Sequence, residues 1–158
     1  MNVATIQGSD ELKDLYRELI LDHSRSPRNF GKLADATHVA EGINPLCGDK
    51  LRLYLRLDGQ RVAAARFEGS GCAIAVASAS LLTETVMGKS SETSLAYGQE
   101  VIMRLTGKSP GHFGTATLQK LQALDGVREF PARVKCATLA WQALGAAING
   151  QAVAATTE

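Results

Sequence analysis

The sequence has almost no net charge and only a small share of aromatic residues. Its 158 residues include 17 Lys and Arg against 16 Asp and Glu, which gives a formal charge of +1 at pH 7. A chain without an excess of basic residues has no overall field to attract nucleic acid or an anionic membrane. We therefore expect neither a nucleic-acid partner nor a membrane partner.

Long apolar runs and an export signal are also missing. No stretch of about 18 uninterrupted apolar residues occurs, and residues 1–10 lack a basic cluster followed by an apolar core. Three cysteines cannot close a full set of disulfides, and a chain without an export signal is expected in a reducing compartment. We expect a cytoplasmic protein whose Cys47, Cys72 and Cys136 are free thiols, available for chemistry or burial.

The length suits a single domain over residues 1–158, with mobile tails at 1–9 and 151–158. From Leu12 to Ile20 the apolar residues have helical spacing, and Pro27 ends this first helix near Ser26. Alternating leucines over 51–57 predict a strand with one buried face, and the Asp-Gly at 58–59 predicts a hairpin to a second strand at 62–68. A third strand is predicted at 37–43.

Helical patterns dominate the second half of the chain. Helices are predicted at 72–87, 92–105 and 131–150, with an exposed loop at 106–112 and a short helix around 115–124. Strands that precede a run of helices are typical of the α+β class. We therefore predict a small three-stranded antiparallel sheet that helices cover on one face.

Each cysteine lies where two predicted elements meet. Cys47 lies in the segment NPLCGD (44–49) between two strands, where a one-residue gap lets its sulfur and the Asp49 carboxylate face one point. Cys72 follows a Gly-Ser-Gly turn and opens a helix, whose positive end favours a thiolate. Cys136 lies in the first two turns of the last helix. All three sulfurs can therefore meet at one end of the sheet.

Three thiolates and one carboxylate form a tetrahedral ligand set that suits zinc and disfavours magnesium and calcium. The predicted ligands are Cys47, Asp49, Cys72 and Cys136. Arg133 and Lys135 precede the last of these, where they could hold a ligand or offset the negative charge. The alternative is three inert core thiols, because cysteine is among the most buried residue types. Placement at element ends, beside Gly, Pro and Asp, favours the metal site.

Other candidate side chains lack the spacing of a functional site. His23, His38 and His112 form no paired helical or Cys-x-x-His spacing, so we interpret each as a surface or capping residue. Ser78 and Ser80 have no adjacent histidine or acid that would make them nucleophiles. The cysteines with their aspartate are therefore the principal candidate centre.

Three motifs together resemble the U-type iron-sulfur cluster assembly proteins. They are NPLCGD at 44–49, GSGCAI at 69–74 and RVKCA at 133–137, and the end of the first helix at 22–29 also matches. The resemblance covers about 12–150 and is closer to the SufU branch than to the IscU branch. Lys135 stands where IscU-like proteins have a histidine, and the segment between the second and third cysteines is long, as in SufU-like proteins. A protonated lysine has no lone pair for a metal, so a cluster ligand is lost.

The resemblance implies a SufE/NifU-like fold and a zinc ion held by Cys47, Asp49, Cys72 and Cys136. It also implies sulfur acceptance from a pyridoxal-phosphate cysteine desulfurase of the SufS kind. Our leading hypothesis is a zinc-dependent sulfurtransferase in which Cys47, as the catalytic residue, attacks the desulfurase persulfide. The sulfur then passes to downstream iron-sulfur assembly proteins.

Two other functions stay open at this point. In the first, the same residues form a scaffold on which a transient iron-sulfur cluster is assembled and transferred, although the lack of a histidine at Lys135 counts against it. In the second, the zinc is structural and holds loops together for a protein interaction. The sequence alone also leaves open whether the chain is an enzyme or an acceptor that acts with one.

Overall fold

The computed structural model describes residues 10–108, 120–150 and 155–156. The elements, in chain order, are α1 (Asp10–Arg25), β1 (His38–Asn44), β2 (Asp49–Asp58), β3 (Arg61–Ser70), α2 (Ala73–Val86), α3 (Ser91–Leu105), a 3-10 helix (Lys120–Glu129), α4 (Pro131–Ile148) and β4 (Ala155–Thr156). Strands thus come before most of the helices, as the sequence pattern predicts.

The sheet has the strand order β3-β2-β1-β4. The pairs β1–β2 and β2–β3 are antiparallel, which confirms the predicted three-stranded meander. The two residues of β4 pair in parallel with Gly42 and Ile43 of β1, beyond the three strands predicted. The predicted mobile tails, 1–9 and 151–158, lie outside the described residues except for Ala155 and Thr156, which form β4.

Alternation along β2 explains why one face of the sheet is buried. Leu51, Leu53 and Leu55 are almost completely buried, whereas the interleaved Lys50 and Arg52 are exposed. The β1 register places Asn44 opposite Asp49, the first residue of β2. The buried face of β1 and β2 therefore runs to the end of the sheet at which the segment 45–48 connects the two strands.

The helices lie on that buried face in two tiers, which confirms the predicted α+β arrangement. The helices α2 and α4 pack against the sheet and against each other, while α1 packs on α2 and α3 packs on α4. Both inner helices are rich in alanine and buried on most sides, as expected of helices enclosed by other elements. Trp141 of α4 is buried in this core, and its Nε1 donates to Ser78 Oγ of α2 at 3.0 Å.

Some details of the helical half differ from the sequence predictions. Leu15 lies within the predicted apolar face of α1 but is 56% exposed, because that face is wider than the surface that α2 and the 3-10 helix cover. The helix predicted around 115–124 is a 3-10 helix that runs to Glu129 in the described residues, and 115–119 lie outside them. The predicted loop 106–112 is described only as far as Lys108, so His112 also lies outside. No described helix is both long and apolar enough to cross a membrane.

Candidate metal centre

The candidate centre lies where the β1–β2 turn meets the first turns of α2 and α4. Cys47 lies in the turn over 45–48, and Asp49 is the first residue of β2. Cys72 immediately precedes α2, and Cys136 lies in the second turn of α4. The predicted meeting point at one end of the sheet is thus formed by three separate parts of the chain.

Three of the four predicted ligands form a tight group. The ligand atoms of Cys47, Asp49 and Cys136 all lie within 4.8 Å of one another. Cys47 is exposed, whereas Asp49 and Cys136 are buried. The sulfur of Cys72 is outside this group, although the Cys72 backbone N–H donates to Asp49 Oδ1 at 2.8 Å. Cys72 therefore holds the carboxylate through its main chain at the start of α2.

Two glycines permit this geometry. Gly48 has a φ of +72°, so the turn after Cys47 uses a left-handed conformation that side chains with a Cβ disfavour. A Cβ on Gly71 would lie 2.6 Å from Asp49 Oδ1, which is closer than real Cβ contacts allow. The absence of a side chain at residue 71 therefore lets the start of α2 approach the carboxylate.

The carboxylate of Asp49 is held from a second side by Asn44, a residue whose contact the sequence did not reveal. Asn44 is completely buried at the end of β1. Its Nδ2 lies 3.3 Å from Asp49 Oδ2 and 3.5 Å from Cys136 Sγ. The sequence indicated only a turn at Asn-Pro. Asn44 nevertheless lies at an alternate position on the same buried face of β1 as Ala40 and Gly42, and this alternation was the available signal for a buried amide.

Burial and hydrogen bonding set the electrostatics of the centre. Burial raises the pKa of Cys136 well above its ordinary value, and hydrogen bonds with Asp49, Cys47 and Cys72 add to the shift. A buried thiol in this position keeps its proton unless a cation replaces that proton. Hydrogen bonding to Cys72 raises the pKa of Arg133, with attraction to the same sulfur and a hydrogen bond to Cys136 contributing further. The exposed guanidinium of Arg133 therefore lies beside two of the sulfurs.

The chemistry of the donor group fits zinc. Zinc forms bonds of about 2.0–2.3 Å to oxygen and sulfur, so tetrahedral ligand atoms on one ion lie about 3.3–3.8 Å apart. Atoms that already lie within 4.8 Å of one another need only a small approach to reach that spacing. Two sulfurs with one carboxylate also suit zinc better than magnesium or calcium. The residues present therefore fit a zinc ion, with the Cys72 sulfur as the fourth predicted ligand.

The other residues singled out in the sequence lie elsewhere or make ordinary contacts. Lys135 is half-buried on α4, and its side chain makes no ion pair with another described residue. The interpretation of His23 as a surface or capping residue is wrong, because His23 of α1 is buried against α2, with its Nδ1 2.7 Å from Ser80 Oγ. Ser78 Oγ donates to the carbonyl oxygen of Ala137 at 2.6 Å. In the part of the chain that the structure describes, no second group of His, Cys, Asp or Glu has metal-binding spacing.

Residues 15–137 match the family model of the NifU-like N-terminal domain. The chain belongs to this family, which includes the IscU and SufU proteins of iron-sulfur cluster assembly. The family predicted from the three cysteine motifs is thus confirmed.

Individual relatives match most of the chain. The zinc-dependent sulfurtransferase SufU of Bacillus subtilis is 46% identical over 133 residues, which is 84% of this chain and 88% of that protein. The iron-sulfur cluster assembly scaffold protein IscU of Thermotoga maritima is 39% identical over 137 residues, 87% of this chain and 94% of that protein. A crystal structure of a SUF-system iron-sulfur cluster assembly scaffold protein from Fervidobacterium islandicum AW-1 superposes with a TM-score of 0.76 at 34% identity, covering 83% of this chain and 94% of that one.

Proposed function

We propose that this chain is a zinc-dependent sulfur acceptor that takes persulfide sulfur from a cysteine desulfurase and passes it to iron-sulfur cluster assembly. The observation that carries the proposal is the unequal burial of the proposed metal ligands. Cys47 is exposed on a turn, whereas Asp49 and Cys136 are buried beside it. An acceptor thiol has to meet a partner's sulfur, and the other ligands have to stay in place while it does so.

The proposed metal ligands are Cys47, Asp49, Cys72 and Cys136. Bound zinc would keep the coordinating thiols deprotonated at neutral pH. The surroundings of Cys47 favour access by a protein partner, because Leu46 is 74% exposed and Gly48 is also exposed. The exposed Arg133 beside Cys72 and Cys136 offsets the negative charge of the thiolates.

The proposed transfer is a thiol–persulfide exchange. The Cys47 thiolate attacks the terminal sulfur of the desulfurase persulfide, which forms a new S–S bond on Cys47. The S–S bond of the donor breaks, and its cysteine leaves as a thiolate. Electrons and atoms balance without an external oxidant or reductant. The sulfur then rests on Cys47 as a persulfide for the next assembly protein.

The similarity to a sulfurtransferase supports this proposal. SufU of Bacillus subtilis is 46% identical, and its name describes zinc-dependent sulfur transfer. Lys135 agrees with this assignment, since a protonated amine beside Cys136 cannot act as a ligand. Three free cysteines suit a reducing compartment, so we place the reaction in the cytoplasm with a desulfurase of the SufS kind.

A cluster scaffold is the second candidate, and the 39% identity to an IscU scaffold protein favours it. The same cysteines and Asp49 would then ligate a transient iron-sulfur cluster. Anaerobic reconstitution with iron and sulfide separates the two candidates. A stable, transferable cluster on the purified chain would support the scaffold, whereas zinc retention without cluster formation supports the sulfur acceptor.

The direct test is desulfurase turnover in the presence of this chain. A SufS-type desulfurase is assayed for alanine production with the zinc-loaded chain, the chelated chain and a Cys47→Ser variant. We expect stimulation by the zinc-loaded chain and none by the other two. Equal stimulation by the zinc-loaded and chelated chains would contradict zinc dependence, and stimulation by Cys47→Ser would contradict the choice of acceptor.

A further inference from the structure

The side chain of Asn44 contacts two of the proposed zinc ligands at once. Its Nδ2 carries two hydrogens and lies 3.3 Å from Asp49 Oδ2 and 3.5 Å from Cys136 Sγ. Asp49 belongs to β2. Cys136 belongs to α4 and lies 92 residues after Asn44 in the sequence. One amide group therefore connects two ligands that the chain delivers from different elements.

Burial of the Asn44 amide is energetically unfavourable, which indicates that its hydrogen bonds to the candidate metal centre have a specific role. Asn44 is completely buried, and its Oδ1 has no hydrogen-bond partner among the described residues. A buried polar atom without a hydrogen-bond partner destabilises the folded chain, a cost that an apolar side chain of similar shape would avoid. The hydrogen-bond partners that the Asn44 side chain does have both belong to the candidate centre.

The orientation of the amide follows from its neighbour. With Nδ2 toward Asp49, a donor faces a carboxylate oxygen. The reversed orientation would place two acceptor oxygens against each other and would leave Cys136 Sγ without the N–H donor. The carboxylate therefore selects the orientation in which both hydrogens point at ligands.

The other carboxylate oxygen is held by the main chain. Asp49 Oδ1 accepts from the Cys72 N–H at 2.8 Å, while Oδ2 accepts from Asn44. These two donors together fix the rotation of the carboxyl group. Metal-binding side chains are commonly oriented in this way by hydrogen bonds from residues that do not touch the metal.

We propose that Asn44 is a positioning residue, which holds the Asp49 carboxylate and the Cys136 sulfur at the spacing that zinc requires. This inference rests on the zinc site of the proposed function. Asn44 should affect metal affinity, because its Nδ2 contacts two of the proposed ligands. It should not take part in sulfur transfer, because an amide offers no sulfur. Loss of such an orienting contact commonly lowers metal affinity by roughly 10- to 100-fold.

The test compares the full chain with Asn44→Leu, which keeps the branching at Cγ and removes both hydrogens and the orphan oxygen. Zinc affinity is measured by competition with a chromophoric chelator, and cobalt substitution reports thiolate ligation through its absorption bands. We expect zinc affinity to fall roughly 10- to 100-fold and the cobalt thiolate band to weaken. Urea unfolding of the metal-free variant checks that it is folded under the conditions of the zinc assay.

The matched control is Thr85→Val, which removes a buried hydrogen bond from Thr85 Oγ1 to the Leu81 carbonyl at the far end of α2 and should leave zinc affinity unchanged. Wild-type zinc affinity in folded Asn44→Leu would overturn the proposal. If circular dichroism shows that Asn44→Leu does not fold, Asn44→Ala carries the same expectation and the same refutation. A wild-type chain that binds zinc but does not stimulate a desulfurase would refute sulfur acceptance alone, whereas a wild-type chain that binds neither zinc nor cobalt would overturn both proposals.

Discussion

Substitution of Gly71 by alanine tests whether the close approach of α2 to Asp49 builds the metal site. The new Cβ would lie 2.6 Å from Asp49 Oδ1 and 3.1 Å from the Cβ and Cγ of Asp49. Gly71 is not among the glycines with positive φ, so the substitution adds a contact without backbone strain. The carboxyl group has to move away, and it then loses the hydrogen bond from the Cys72 N–H.

The size of the effect follows from that hydrogen bond. A hydrogen bond to a charged group contributes about 1.5–3 kcal/mol, and a factor of ten in affinity corresponds to about 1.4 kcal/mol. If the displaced carboxylate loses this contribution as a ligand, zinc affinity should fall by roughly 10- to 150-fold. Chelator competition on the purified variant measures the change directly.

A matched control uses another glycine of the chain. A Cβ on Gly126 would meet no atom within 4 Å, so Gly126→Ala should bind zinc like the wild type. Urea unfolding of both metal-free variants separates a local effect from general destabilisation. If Gly71→Ala folds and binds zinc as tightly as the wild type, Asp49 is not held at the metal by the start of α2.

Two further predictions concern Asp49 and His23. Asp49→Ala removes a proposed zinc ligand but no sulfur, so zinc affinity should fall in chelator competition before persulfide formation on the chain is lost. Unchanged affinity would exclude the carboxylate as a ligand. Burial, followed by the charge of Arg28, lowers the pKa of His23 from 6.5 in the folded chain. Below that pH the unfolded chain gains a proton that the folded chain does not, so stability should decrease as the pH falls. Urea unfolding of metal-free His23→Gln should show a weaker pH dependence than the wild type, and an identical dependence would refute the assignment.

Much of the fold could be predicted because its signals are local. The alternating leucines of 51–57 and the Asp-Gly turn define β2 and the hairpin, and Pro131 marks the start of α4 at a position where proline is tolerated. The meeting of three cysteine-bearing junctions could also be inferred, since each lies at an element end. Local periodicity and turn residues were therefore sufficient to predict the fold class and the location of the candidate site.

Other features depend on contacts that no local pattern encodes. The strand β4 has two residues, too few to show a period, and it is defined by its pairing with β1. The roles of Asn44 and Gly71 depend on distances to Asp49 that are set by the packing of α2 against the sheet. Sequence spacing indicated which residues could be ligands, but the groups that orient them became visible only in three dimensions.

The location of the transferred sulfur tests the central proposal most directly. The zinc-loaded chain is incubated with a SufS-type desulfurase and cysteine, and the persulfide is located by mass spectrometry of alkylated peptides. The exposure of Cys47, beside the buried Cys136 and the half-buried Cys72, predicts a persulfide mainly on Cys47. A persulfide mainly on Cys72 or Cys136, or transfer that persists in Cys47→Ser, would contradict the proposed acceptor.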